Sequence, residues 1–182
     1  MTFCALSSAK GMDIKMKLYT GTGDTGMTSL LNETKVSKAD DRIELLGTID
    51  ELSSNIGLAK VVVKEEQKRE LSAIQQVLLT VMAGIADSAN ADFRVNNEQI
   101  TYIESQIDKI ENAFPREKKF ILYGDCEASA RLDVARSVAR RAERCFKRVE
   151  LQYHVDKKAM QYMNRLSDYL YIMARYEDYK EK

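Results

Sequence analysis

Apolar residues recur along most of this chain at alternating steps of three and four, in five separate segments. Leu45, Ile49, Leu52, Ile56, Ala59 and Val63 mark the first, and Leu71, Ile74, Leu78, Val81 and Ile85 the second. The third runs through Ile100, Ile103, Ile107, Ile110 and Phe114, and the fourth through Leu132, Ala135, Ala139, Ala142, Phe146 and Val149. The fifth follows Ala159, Met163, Leu166, Leu170 and Met173. Such spacing gives each of five helices one apolar stripe, to be buried against its neighbours. Connections read as short except at 112–125, where Pro115 and Gly124 break the pattern. The expected fold is all-α, a five-helix bundle with an irregular glycine-rich N-terminal arm.

Composition agrees with that reading. Eight glycines and one proline in 182 residues argue against a loop-rich or all-β chain. Residues 17–182 are expected to form a single helical domain. Residues 1–16 have too short an apolar run for a signal peptide and read as a disordered extension. Twenty-eight basic residues balance 28 acidic ones, so no net charge draws the chain to nucleic acid or to an anionic membrane. No apolar run approaches bilayer length. Cys4, Cys126 and Cys145 form no CxxC pair, and His154 is the only histidine, which disfavours a zinc site and points to a reducing, cytoplasmic setting. One histidine also cannot supply the paired Glu-x-x-His motifs of a di-metal bundle.

The arm holds the most conspicuous motif. Gly21, Thr22, Gly23, Asp24, Thr25 and Gly26 match the dinucleotide fingerprint G-x-G-x-x-G, and the stretch through Thr28 is one residue short of a P-loop, with Met27 in place of the lysine. Neither named motif fits. No clean helix start follows the glycines, and no alternation of strands and helices exists downstream. What remains is a glycine-rich turn, with the question of a ligand left open by the residues themselves.

Polar residues on the fourth and fifth segments also group by face. At 100° per residue, Arg136, Arg140 and Glu143 fall within about 60° of one another beside the apolar stripe, Arg144 sits one step further round, and Arg141 points away. A row of arginines bordering the core suits a polyanion such as phosphate, with a glutamate to orient a guanidinium or meet a ribose. The competing reading is a solvated, salt-bridged face. Asn164, Asp168, Tyr171 and Arg175 form a second stripe, fit for a ligand cleft or a subunit interface. Asp50, next to Ile49 and Leu52, needs a cation if buried, and Arg136 is of the right kind, within the chain or across an interface.

Four ordered stretches, "KLYTGTGDTGMTSLL", "VSKADDRIELLGTIDELSSNIGLA", "ARSVARRAER" and "MNRLSDYLYIMAR", together resemble the ATP:cob(I)alamin (corrinoid) adenosyltransferases of the propanediol-utilisation type. The resemblance extends from about Met16 to Tyr176. It implies a five-helix homotrimer that moves the 5′-deoxyadenosyl group of ATP to the cobalt of cob(I)alamin, with Mg2+ assisting and ATP at the subunit interfaces. By motif position it implies that Thr20, Gly21, Thr22, Gly23, Thr28 and Lys38 embrace the nucleotide. Arg140, Arg141, Glu143 and Arg144 would bind its phosphates and ribose, and Asn164 would complete the site. Asp50 and Arg136 match an intersubunit ion pair, and Phe120 matches the aromatic that displaces the lower ligand of the corrin. The partners implied are a cobalamin reductase and an adenosylcobalamin-dependent enzyme.

The chain departs from the family pattern at two places on the corrinoid side. Tyr123, Gly124 and Asp125 stand where the family has Pro-Gly-Gly, and Asp133 stands where a histidine is common. These departures keep a second reading in view, an ATP-binding relative that carries or senses corrinoid with little turnover.

Overall fold

The computed structural model describes Tyr19, Gly21 and residues 23–116 and 119–181. Thr20, Thr22 and residues 1–16 lie outside that set. The described chain runs β1 (Met27–Ser29), β2 (Lys35–Ser37), α1 (Asp41–Lys60), α2 (Glu65–Ala86), α3 (Asn97–Glu111), α4 (Glu127–Glu150) and α5 (Lys157–Lys180). Each of the five periodic segments holds a helix, with Val63 and Phe114 falling just past the ends of α1 and α3.

Helix α4 is the centre of the packing, lying against α1 on one side and α5 on the other, while α2 packs on α1 and α3 on α5. Its apolar stripe explains that position. Ala135, Ala139 and Ala142 are fully buried and small enough to let two neighbours approach at once, and Leu132 and Phe146 fill the space at either end. Leu45, Ile49, Leu52 and Ile56 of α1, and Met163, Leu166, Leu170 and Met173 of α5, close the same core without exposure. Helix starts are capped by the residues their sequence offers. The Asp40 side chain accepts from Arg42 N–H at 2.9 Å, Asn96 and Gln99 form a reciprocal box at 2.9 Å, and Asp156 accepts from Lys158 N–H at 2.9 Å.

Two features differ from the sequence reading. The α2–α3 connection, 87–96, is as irregular as the loop at 112–126, because Asp87 and Asn90 turn the chain by accepting from the amides of Ala89 and Asp92. That loop lies hard against α2: a Cβ at Gly84 would come within 2.4 Å of the Phe93 carbonyl oxygen, so only glycine fits there. The arm, in turn, contains a β-hairpin, β1 pairing antiparallel with β2 so that Thr28 faces Val36. Leu30 and Val36 pin the hairpin to Ala86, Ile43 and Leu46 at one end of the bundle.

Candidate functional site

The glycine-rich turn sits directly before β1 and folds back on Lys38. Gly21 and Gly26 adopt φ values of 70° and 80°, which side-chain-bearing residues rarely hold. The turn closes through Asp24 N–H to Gly21 C=O at 3.1 Å and Gly26 N–H to Gly23 C=O at 3.2 Å. Lys38 N–H donates to Gly26 C=O at 2.8 Å, and a Cβ on Gly23 would lie 3.0 Å from Lys38 Nζ. The structure thus brings Gly23 and Lys38 together, with the ammonium laid over the turn, and Thr28 half-buried in the strand behind.

The base of the arm is tied to the end of α4. Asp40 receives Nε and Nη2 of Arg42 at 2.9 and 2.8 Å and the Tyr153 hydroxyl at 3.1 Å, while Arg42 stacks on the Tyr153 ring at 3.9 Å. The Arg42 hydrogen bonds lead in holding the Asp40 carboxyl at about 2, against an ordinary 3.8. Next to it, Asp41 pairs with Arg148 at 3.4 Å.

From Arg148 a row of arginines descends α4 at four-residue steps: Arg148, Arg144, Arg140 and Arg136. The twelve-residue span corresponds to about 18 Å of helix. The two ends of the row are neutralised, Arg148 by Asp41 and Arg136 by Asp133 at 3.1 Å. The middle is not. Arg140 and Arg144 are exposed and form no ion pair among the described residues; Arg144 Nη1 merely donates to the Arg140 carbonyl at 3.1 Å. Arg141 leaves the row, as its helical angle requires, and pairs with Glu51 of α1.

Helix α5 supplies the neighbouring polar groups. Asn164 Nδ2 donates to Glu143 Oε1 at 3.0 Å, and Arg165 donates to Asn164 Oδ1 at 2.9 Å and to Glu104 at 2.8 Å. Asp168 lies beside this group. Partial burial and the Glu143 charge raise its carboxyl above the usual range, against the opposing pull of Arg165 and Arg140. Glu143 and Asn164, predicted from different segments, therefore form one hydrogen-bonded unit next to the unpaired arginines.

At the opposite end of α4 lies a buried charge cluster. Arg175 Nη2 contacts Asp133 at 2.5 Å and Asp178 at 3.0 Å, and Asp133 also accepts from Arg136 Nε. The predicted α5 stripe therefore divides: Arg175 is only 6% exposed, whereas Asp168 faces outward. Over the cluster stands the loop with Phe120, which is fully exposed together with Leu122. Asp50 is half-buried on α1 and makes no ion pair among the described residues, so Arg136 serves Asp133, and not Asp50, within this chain.

Arg148, Arg42 and Tyr153 join the site without having been singled out by sequence. Arg148 could have been found by continuing the four-residue step beyond Arg144; the Tyr153 contact, 113 residues from Asp40, could not. The arginine row is an open face, and a small cavity of about 80 Å³ lies beside its upper end, lined by Arg42 and Tyr153 among others. A cavity of about 320 Å³ lies between α2 and α3, lined by Glu70, Tyr102, Tyr162 and Tyr169 among others, and it includes none of the predicted residues. Among the described residues no group of three or more His, Cys, Asp or Glu could hold a metal ion, and no helix is long and apolar enough to cross a membrane.

Residues 18–177 match the family model described as cobalamin adenosyltransferase. The corrinoid adenosyltransferase PduO of Salmonella typhimurium is 41% identical over 168 residues, covering 90% of this chain and 50% of that protein. The corrinoid adenosyltransferase of Bacillus subtilis is 37% identical over 166 residues, 88% of this chain and 86% of its own length. Among solved structures, a phenylalanine-to-alanine variant of a PduO-type ATP:corrinoid adenosyltransferase from Lactobacillus reuteri, complexed with cobalamin and ATP, superposes with a TM-score of 0.85 at 33% identity. That match covers 91% of this chain and 95% of the other. The chain spans 50% of the length of the PduO relatives from Salmonella and Citrobacter freundii.

Proposed function

The chain belongs to the cobalamin adenosyltransferase family, and on that premise we propose that it transfers the 5′-deoxyadenosyl group of ATP to the cobalt of cob(I)alamin, releasing triphosphate. The observation that carries this reading is the gap in the arginine row: among the described residues Arg140 and Arg144 have no carboxylate partner of the kind that neutralises Arg136 and Arg148. Two adjacent unpaired guanidinium groups on a rigid helix suit a triphosphate. Lys38 and the amides of the Gly21 and Gly23 turn add charge and donors from the arm, with Thr20, Thr22 and Thr28 as hydroxyl donors. Arg141 is paired with Glu51 off the row, so it reaches the phosphates only by leaving that partner. Glu143, oriented by Asn164, takes the ribose hydroxyls.

The chemistry needs no nucleophile from the protein. Cob(I)alamin attacks the 5′ carbon of ATP through cobalt, the Co–C bond forms as the C–O bond breaks, and the electron pair leaves with the triphosphate. The chain holds the 5′ carbon in line and stabilises the charge gathering on the leaving group, the tasks of Arg140, Arg144 and Lys38. Phe120, apolar and uncovered, displaces the lower ligand of the corrin. Mg2+ would accompany the triphosphate and share in neutralising its charge beside Arg140, Arg144 and Lys38.

The open face is completed by further copies of the chain in a homotrimer. Arg136 spends only Nε on Asp133, so its Nη groups remain for Asp50 of a neighbouring copy. The setting is cytoplasmic, beside a cobalamin reductase that supplies cob(I)alamin and an enzyme that consumes adenosylcobalamin.

The test is anaerobic assay of the purified protein with ATP, Mg2+ and chemically reduced cobalamin, following the visible spectral change as the Co–C bond forms. Product formation that saturates in ATP and cobalamin is the expected result. Tight ATP binding with no product would overturn the transferase and favour a carrier or sensor.

A further inference from the structure

We infer that Tyr123 is the anchor that sets the pose of Phe120, through a cation–π stack on the buried charge cluster of α4 and α5. The inference rests on the proposed corrinoid role of Phe120. The Tyr123 ring lies 4.8 Å from the Arg136 guanidinium and 5.2 Å from that of Arg175. Arg175 gives the stack its weight. Its Nη2 is taken by Asp133 and Asp178, but Nε and Nη1 are buried and have no hydrogen-bond partner among the described residues. A buried guanidinium left half unsatisfied is costly, and the faces of Tyr123 and, at 5.4 Å, Tyr171 are what the structure sets against it. Moving the loop away would uncover that cation, so its position is coupled to the stability of the cluster.

Geometry turns this contact into control of Phe120. Gly124 takes φ 91°, and a Cβ there would sit 3.4 Å from that of Ala130, so the chain folds onto α4 immediately after Tyr123. On the other side, Phe114 packs on Tyr176 and Tyr179 at 5.6 and 5.4 Å. Phe120 and Leu122 stand exposed between the two anchors. Phe120 is three residues from Tyr123, a reach of at most about 10 Å, but six from Phe114, so the tyrosine is the tighter tether. Tyr123 is thus a positioning residue, and its ring, not its hydroxyl, does the positioning; that hydroxyl makes no hydrogen bond among the described residues.

The sequence contains no tryptophan, so Phe120→Trp introduces a single reporter. In that background Tyr123→Leu should lower the fluorescence anisotropy of the indole, and Tyr123→Phe should leave it unchanged. With Phe120 restored, Tyr123→Leu should raise the KM for cob(I)alamin about tenfold, the scale of a desolvated cation–π contact, while the KM for ATP stays put. Tyr123→Phe should rescue the cobalamin KM. Equal anisotropy in the leucine variant and its parent, or an equal loss with phenylalanine, overturns the anchor. An anisotropy that falls while the cobalamin KM does not change overturns the positioning role. If Phe120→Ala also leaves cobalamin turnover intact, the corrinoid reading of Phe120 is what fails, and the anisotropy result still decides the anchor.

Discussion

Helix α4 carries arginines of two kinds, one turn apart. Arg136 pairs with Asp133, Arg175 of α5 behind it pairs with Asp133 and Asp178, and tyrosine rings lie over both. Arg140 and Arg144 face outward and form no ion pair among the described residues, Asp168 acting on Arg140 only from a distance. Both groups began as similar letters in the sequence, and burial separates them. A buried cation must be neutralised inside the chain, so its partners are part of the fold. An exposed cation costs nothing to leave unpaired, so its charge stays available for something that arrives later. The first group should therefore answer to stability measurements and the second to kinetics.

Breaking the buried group gives the largest expected effect. Asp133→Ala leaves Arg175 with Asp178 alone and takes the Nε partner from Arg136, and should cost about 3–5 kcal/mol in urea unfolding at fixed protein concentration. A loss below roughly 1 kcal/mol, the range of exposed pairs, would mean that the cluster is hydrated and that Arg136 and Arg175 behave as surface cations.

The exposed group should behave in the opposite way. Arg140→Ala should slow adenosyl transfer by about 10²–10³-fold, the cost of losing one preorganised charge on a leaving group. Its circular dichroism and unfolding midpoint should match the parent, because no ion pair is lost. Near-parental turnover would remove the triphosphate from this part of the helix.

The helices that carry that division were visible in the sequence, and the division itself was not. Leu45, Ile49, Leu52 and Ile56 announce α1 because a 3.6-residue period leaves fully buried residues on one face. The same rule aligned Arg136 and Arg140. It could not tell their fates apart, since the Asp133–Arg175 contact joins residues 42 apart. Periodicity also carried Phe114 into the third helix, whereas α3 ends at Glu111 and Phe114 packs on α5 tyrosines from the loop. The hairpin escaped because strands of three residues are too short to show alternation, and its turn uses Glu33 at φ 62°, where a glycine would have been the signal. The glycines of 21–26 did mark a tight turn, though the named patterns they matched require a helix where the structure has β1.

Asp50→Ala probes the boundary between the two groups, since Arg136 is neutralised within the chain and still has donors to spare. Assembly should weaken at least about tenfold, some 1.4 kcal/mol, as sedimentation equilibrium would report. Unchanged association with full activity would remove Asp50 from any contact between copies and leave Arg136 to Asp133 alone.

The smallest effect belongs to Asp40, which lies between the two extremes: paired with Arg42, capped over α1, and only partly buried. Its carboxyl is depressed from 3.8 to about 2 in the folded chain, so the charged form is the one that folding favours. Stability from this group is complete above about pH 4 and is lost as pH falls toward 2, where the folded carboxyl takes up its proton. Asp40→Asn keeps a side-chain oxygen for the Arg42 amide and removes the charge, so it should cost about 1 kcal/mol at neutral pH and flatten the acid limb between pH 4 and 2. Because Asp40 also receives the Tyr153 hydroxyl, the substitution should loosen the arm that carries Lys38 and raise the KM for ATP severalfold. A variant with an unaltered acid limb would show that the depression comes from elsewhere. One with an altered limb and an unchanged KM would show that the arm does not depend on this contact to reach the nucleotide.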